Sequence, residues 1–263
     1  MTAASPEIDL DALAALAERL ADAAGAVAMS YFRAPLAIDA KADASPVTIA
    51  DREAEKAMRA LIEANHPDHG IYGEEHGKAR LDAEFIWVLD PIDGTKSFVI
   101  GKPLFGNLIA LVHRGQPVVG IINCPALGER WLGIAGKPTT LNGRPVKTRT
   151  RPALADAWLA TTTPEMFVGP DADAFARLRG HVRHAVYGGD CHSYGLVANG
   201  TLDLVAEANM QPYDYMALVP VIAGAGGIAT DWNGAPLTLQ SDGRVLAAGD
   251  AGAHAAALQL LGG

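Results

Sequence analysis

Trp87-Val88-Leu89-Asp90-Pro91-Ile92-Asp93-Gly94-Thr95 is the stretch on which the fold turns. With Phe85 and Ile86 before it, Trp87-Val88-Leu89 forms a short continuous apolar run, the pattern of a strand covered on both faces. That strand delivers two carboxylates at its C-terminal end, where open α/β sheets place their sites. Pro91 stiffens the turn between them. Two acids this close repel unless something positive sits between them. Hard oxygen donors on a short rigid turn suit Mg²⁺, which takes one or two carboxylates together with phosphate oxygens. Gly94 permits close backbone approach, and if a helix starts here the Gly94 and Thr95 amides point at an anion. The alternative is an Asx turn that caps a helix with solvated acids.

On either side lie two further acidic segments. Gly73-Glu74-Glu75-His76-Gly77 follows the apolar Gly70-Ile71-Tyr72 and offers a third carboxylate, with His76 read as an exposed loop residue. Gln211-Pro212-Tyr213-Asp214 precedes an apolar segment closed by Gly224, Gly226 and Gly227. Pro212 suits a first helical turn, which sets Asp214 at a helix N-terminus as a ligand or as a cap.

The remaining pattern is mixed. Residues 7–33 read as an amphipathic helix on Leu10, Leu13, Leu16, Leu20, Ala24, Val27 and Tyr31, and a second helix runs from about Asp51 to Asn65. Asn107–Val112 and Pro117–Asn123 flank a hairpin turn, and Glu129–Ile134 is a further strand. In the second half, strands at 157–161, 202–206 and 245–248 alternate with helices at 172–178, 194–199, 213–225 and 252–261. Pro220 should kink or locally break the helix that contains it. Interleaved helices and hairpins favour a layered α/β or α+β fold over a parallel Rossmann sheet. Neither Gly-x-Gly-x-x-Gly nor a Walker loop occurs.

Composition agrees. In 263 residues, 49% are apolar and 19% charged, which is globular, and the net charge of −9 disfavours nucleic-acid phosphates as partners. Two cysteines, Cys124 and Cys191, read as thiols in a reducing cytosol rather than as a disulfide framework. The first residues lack the basic start of a signal peptide, and no apolar run reaches membrane-spanning length. The expectation is a cytoplasmic protein without a membrane or nucleic-acid partner.

Gly73-Glu74-Glu75, Asp90-Pro91-Ile92-Asp93-Gly94-Thr95 and Asp214 before Gly226-Gly227, in this order, resemble the inositol monophosphatase family of metal-dependent phosphatases. The resemblance extends from Val47-Thr48-Ile49-Ala50-Asp51 onward. It implies a layered αβαβα sandwich of the inositol monophosphatase and fructose bisphosphatase type, commonly a homodimer. It implies one unit over 1–263, with most metal ligands in about 1–140 and with Asp214 and substrate contacts in about 141–263. Glu74, Asp90 and the Ile92 carbonyl would hold one Mg²⁺, and Asp90, Asp93 and Asp214 a second. A third, weaker ion would use Glu74 near Asp51. Thr95 and Glu74 would orient the attacking water, with Gly94 and Thr95 amides on the phosphoryl oxygens.

Within the family, Thr95-Lys96-Ser97-Phe98, Gly101–Gly106, Gly128–Trp131, Tyr187-Gly188-Gly189-Asp190-Cys191 and Pro212-Tyr213-Asp214-Tyr215 are similar to the histidinol-phosphatase members. L-Histidinol phosphate carries an ammonium and an imidazole. Asp190 is then a candidate contact for that cation or a plain turn residue, Glu207 a substrate contact, and Asn107 a polar contact near the imidazole or a structural residue. Cys191 reads as packing. The expected activity is Mg²⁺-dependent hydrolysis of histidinol phosphate in histidine biosynthesis, with inositol phosphates or other small alcohol phosphates as the alternative. Haloacid-dehalogenase chemistry needs Asp-x-Asp, whereas Asp90 and Asp93 are three apart. A regulatory protein without activity is the non-enzyme alternative.

Overall fold

The computed structural model describes residues 8–34, 38–40, 46–151 and 153–262. Helix α1 (Leu10–Tyr31) begins where Asp9 accepts the Ala12 N–H at 3.0 Å, and it buries Leu13, Leu16, Leu20 and Ala24 on one stripe. Residue 7, the expected start of this helix, lies outside the described residues. A short antiparallel pair, β1 (Ile38–Ala40) and β2 (Pro46–Thr48), leads into α2 (Ile49–Asn65). Thr48 and Asp51 form a reciprocal capping box at the start of α2. Then follow β3 (Gly70–Gly73), β4 (Lys78–Ala79), β5 (Phe85–Asp93), α3 (Thr95–Val99), β6 (Gly106–His113), β7 (Gln116–Cys124), β8 (Glu129–Ile134), β9 (Thr140–Leu141) and β10 (Arg144–Pro145). The eight-stranded sheet has the order β10-β9-β8-β7-β6-β5-β3-β4. Its pairings are antiparallel except where β3 lies parallel to β5.

The second half supplies β11 (Trp158–Thr161), α4 (Pro170–His181), β12 (His184–Tyr187), α5 (His192–Ala198), β13 (Leu204–Glu207), α6 (Pro212–Tyr215), α7 (Leu218–Gly224), β14 (Ile228–Thr230), β15 (Val245–Ala248) and α8 (Ala251–Leu261). The five-stranded sheet runs β12-β11-β13-β15-β14.

Apolar burial sorts these elements into five layers. One cluster packs α1 and α2 on one face of the large sheet through Leu16, Leu20, Met58, Ile62, Trp87 and Leu111. A second fills the space between the sheets, where Val88, Ile122 and Trp131 meet Tyr194, Val205, Tyr215 and Val221. A third joins the outer face of the small sheet to α4 and α8 through Leu159, Phe175, Leu178, Leu246 and Ala257. The architecture is therefore helix, sheet, helix, sheet, helix.

The expected helix over 213–225 is divided into α6 and α7. Pro220 has no N–H, so the Met216 carbonyl lacks its helical partner and the ladder is interrupted at residues 216–217, four residues upstream of the ring. Pro220 itself sits in the first turn of α7, where its missing donor costs nothing. The strands at β12 and β14 carry no strong sequence period. The helix expected at 172–178 extends to Pro170–His181.

Candidate active site

Asp90 and Asp93 are three residues apart, and in an unbroken strand they would face opposite sides of the sheet. The register of β5 against β6 slips between them: Asp90 pairs with Leu108 and Asp93 with Gly106. Three steps on β5 are matched by two on β6, a bulge that re-aims the chain. Pro91 and Ile92 occupy it. Both carboxylates thereby reach one place, and α6 brings Asp214 to meet them. Oxygen atoms of Asp90, Asp93 and Asp214 lie within 4.8 Å of one another.

Each acid is held by its own turn. Asp90 Oδ1 accepts the Ile92 N–H at 2.9 Å, and Asp93 Oδ2 accepts the Cys191 N–H at 2.6 Å across the sheet-to-helix boundary. Asp214 Oδ2 accepts the Gln211 N–H at 2.6 Å, so its role as a cap and its place in the trio coexist. Burial pushes the Asp90 carboxyl well above the usual range, with the charges of Glu74, Asp93 and Asp214 adding to it. Asp93 is raised by burial and then by Asp190 and Asp214. Asp214 is pushed up to about 7, chiefly by burial and against the pull of the Gln211 amide. A cluster of one buried and two half-buried carboxylates whose burial and mutual charge oppose ionisation is stabilised by a divalent cation, and its donors are all hard oxygens, so the residues present fit Mg²⁺.

Glu74 directly follows β3, its N–H donating to the Leu89 carbonyl at 3.2 Å, and its side chain lines the same cavity. It stands beside the trio rather than in it. Thr95 opens α3. Its hydroxyl donates to the Ile92 carbonyl at 3.1 Å and lies 3.4 Å from Asp51 Oδ1. Asp51 uses its other oxygen on the Thr48 N–H and hydroxyl. Gly94 has φ 82°, and a Cβ there would stand 2.9 Å from Asp190 Cγ.

The cavity, of about 360 Å³, is lined by Glu74, Asp93, Thr95, Asp190, Glu207 and Asp214 among others. Asp190, at φ 45°, accepts the Ser97 hydroxyl proton at 2.7 Å. Burial raises its carboxyl, while Ser97, Lys102 and Lys96 pull it down. Glu207 is almost fully buried and accepts the Thr162 N–H at 2.7 Å and the Tyr194 O–H at 2.9 Å. Burial lifts its carboxyl, and those two bonds oppose the lift.

Asn107 lies beneath the acidic turn. It is fully buried, donates to the Pro91 carbonyl at 2.6 Å and accepts from Asn123 at 2.7 Å. Its carboxamide is consumed in holding the bulge, so it supports the acidic turn from beneath and does not face the cavity. His76 is exposed, and Cys191 and Cys124 are free and buried. Thr162, Thr163, Met166, Asn209 and Met210 also line the cavity and were not foreseen. They sit on connections that carry no motif, Met166 in a single 3-10 turn over Pro164–Met166; a local signal is Asn209, at φ 61°, since Asn tolerates that region.

The family model for the inositol monophosphatase family matches residues 9–261. The bifunctional phosphatase IMPL2, chloroplastic, of Arabidopsis thaliana is 48% identical over 97% of this chain and 76% of its own length. A histidinol-phosphatase of Chlorobaculum parvum is 36% identical over 88% of this chain and 90% of its own. The solved structure of an inositol monophosphatase from Zymomonas mobilis superposes with a TM-score of 0.89 at 48% identity, covering 97% of this chain and 100% of that one.

Proposed function

The chain belongs to the inositol monophosphatase family, and from that premise we propose that it is a Mg²⁺-dependent phosphomonoesterase whose preferred substrate is L-histidinol phosphate. The observation that carries this reading is a second pair of acids in the same cavity: Asp190 and Glu207 line it together with Glu74, Asp93 and Asp214, and Asp90 completes the trio. The trio suits a phosphoryl group bridged by cations. The added pair suits the ammonium of an amino alcohol better than the hydroxyls of a neutral ring. The relatives named for histidinol phosphate support the same choice.

In this reading Glu74, Asp90 and the Ile92 carbonyl would hold one ion, Asp90, Asp93 and Asp214 a second, and Glu74 near Asp51 a third. When bound, Mg²⁺ neutralises the phosphoryl dianion and lowers the pKa of the attacking water. Thr95 donates its proton to the Ile92 carbonyl, which leaves its oxygen lone pairs to accept from that water. Glu74, beside it, receives the proton as the water attacks. The Gly94 and Thr95 amides hold the phosphoryl oxygens as charge shifts onto them. Asp190 and Glu207 orient the amino alcohol. No covalent phosphoenzyme is needed.

The proposed working form is a cytoplasmic homodimer in which both halves of each chain act as one unit. The free cysteines fit a reducing compartment. Strand β12 edges its sheet with exposed Val186 and Tyr187 beside Trp158, a surface suited to a second copy. Among the described residues, no helix is long and apolar enough to cross a membrane.

The test is the ratio of kcat/KM for L-histidinol phosphate to that for inositol 1-phosphate. A ratio well above ten supports the assignment, and equal values defeat it. Asp190→Ser should raise KM for histidinol phosphate about tenfold, the worth of one charged hydrogen bond, and leave inositol phosphate nearly unchanged. An equal loss on both substrates would make Asp190 structural.

A further inference from the structure

Glu55 lies one helical turn beyond Asp51 on the same face of α2. Its side chain is wholly buried, and a carboxylate in that position needs partners. It has three: Arg59 Nε at 2.7 Å, the Glu75 N–H at 2.6 Å and the His76 N–H at 3.1 Å. Arg59 reaches on to donate to the Gly77 carbonyl. His76 Nε2 meets the Arg52 carbonyl at 2.9 Å. The approach is so close that a Cβ at Gly73 would run into the Glu55 carboxylate. The whole 73–77 segment is thus tied to α2, and Glu74 is the residue in it that lines the cavity.

An apolar side chain would fill the Glu55 position without the cost of desolvating a charge. Its partners explain the acid: two are backbone amides of the residues just after Glu74. We infer that Glu55, braced by Arg59, is a positioning residue for the metal centre, fixing the Glu74 turn at its working distance from Asp90, Asp93 and Asp214. Through Asp51 and Thr95 the same helix also touches the other acidic turn. The inference rests on the reading of Glu74 as a metal ligand.

The test compares Glu55→Gln, the double variant Glu55→Gln/Arg59→Met and Glu74→Gln. The readouts are Mn²⁺ binding by electron paramagnetic resonance, amide hydrogen exchange at Glu75 and His76, and kcat at saturating Mg²⁺. Glu55→Gln should weaken Mn²⁺ binding about tenfold or more, as loss of support behind a ligand does elsewhere. The two amides should exchange faster, and kcat should return to within a few-fold of wild type at saturating Mg²⁺. The double variant removes both charges, so its melting temperature should recover while its metal affinity stays low. Wild-type Mn²⁺ affinity in both Glu55 variants, with Glu74→Gln impaired, overturns the inference alone. Wild-type affinity in Glu74→Gln overturns the ligand reading and this inference with it.

Discussion

Asp93 shows how much one carboxylate can carry. It is placed by a bulge, held by the Cys191 amide and surrounded by acids. Asp93→Asn keeps the shape and removes the charge, so turnover should fall about a hundredfold or more and the Mg²⁺ requirement should rise. A normal rate at normal Mg²⁺ would contradict the site. Gly94→Ala should be damaging for two reasons at once, the left-handed φ and the encounter with Asp190. Its soluble yield and its KM should both suffer. At this scale the sequence was legible wherever chemistry is local: Asp-Pro-Ile-Asp-Gly-Thr announces an acidic turn by composition alone. Asn107 stays open between two readings in the sequence because a polar residue on a strand has the same letter whether it faces a ligand or ties down a bulge. Only the register slip, which depends on β6, decides between the two.

Among the elements, α7 lies directly against β7 and β8. Cβ atoms at Gly120 and Gly133 would meet the backbone of Ala217 and Pro220 respectively. Gly133→Ala should therefore cost about 2 kcal/mol or more, seen as a lower urea midpoint. The α2–β3 connection supplies a pH effect. His69 Nδ1 accepts the Trp87 Nε1–H at 3.1 Å, and burial, helped by His66, lowers its pKa from 6.5 to about 4. Between those values the unfolded chain binds the proton and the folded one does not. Stability from this group is present above about pH 6.5 and is lost as pH falls toward 4. His69→Gln should flatten that part of the stability curve, and an unchanged slope would remove His69 as its cause. Long periodic helices and the hairpin were readable from spacing. The short strands β12 and β14 were not, because their pairing partners, not their own residues, define them.

At the scale of the whole molecule, the proposed metal site would couple ion binding to folding. Asp214 titrates near 7 in the folded chain against an ordinary 3.8, with Asp90 and Asp93 raised in the same sense. The folded metal-free chain then holds more protons than the unfolded one across that window. Its stability is fullest below about pH 4 from these groups and declines as pH rises through 7. Mg²⁺ bound as proposed would take over from those protons. The rise in melting temperature on adding Mg²⁺ should accordingly be larger at pH 8 than at pH 6, and a chelator should reverse it. An equal rise at both pH values would show that the acids are not linked to the ion. The layered α/β character followed from interleaved helices and hairpins, yet the convergence of Glu74, Asp190 and Asp214 from separate parts of the chain is set by packing between the two sheets, which no local pattern records.

The cavity walls come from different halves of the polypeptide: residues 74 and 93–96 on one side, residues 162–166, 190 and 207–210 on the other, with Asp214 closing the acidic corner. If the proposed function holds, the machinery that breaks the bond and the surface that chooses the alcohol could drift at separate rates. Exchanging only the 162–166 and 207–210 loops between two relatives of unlike appetite should transplant the preference and leave the reaction itself untouched.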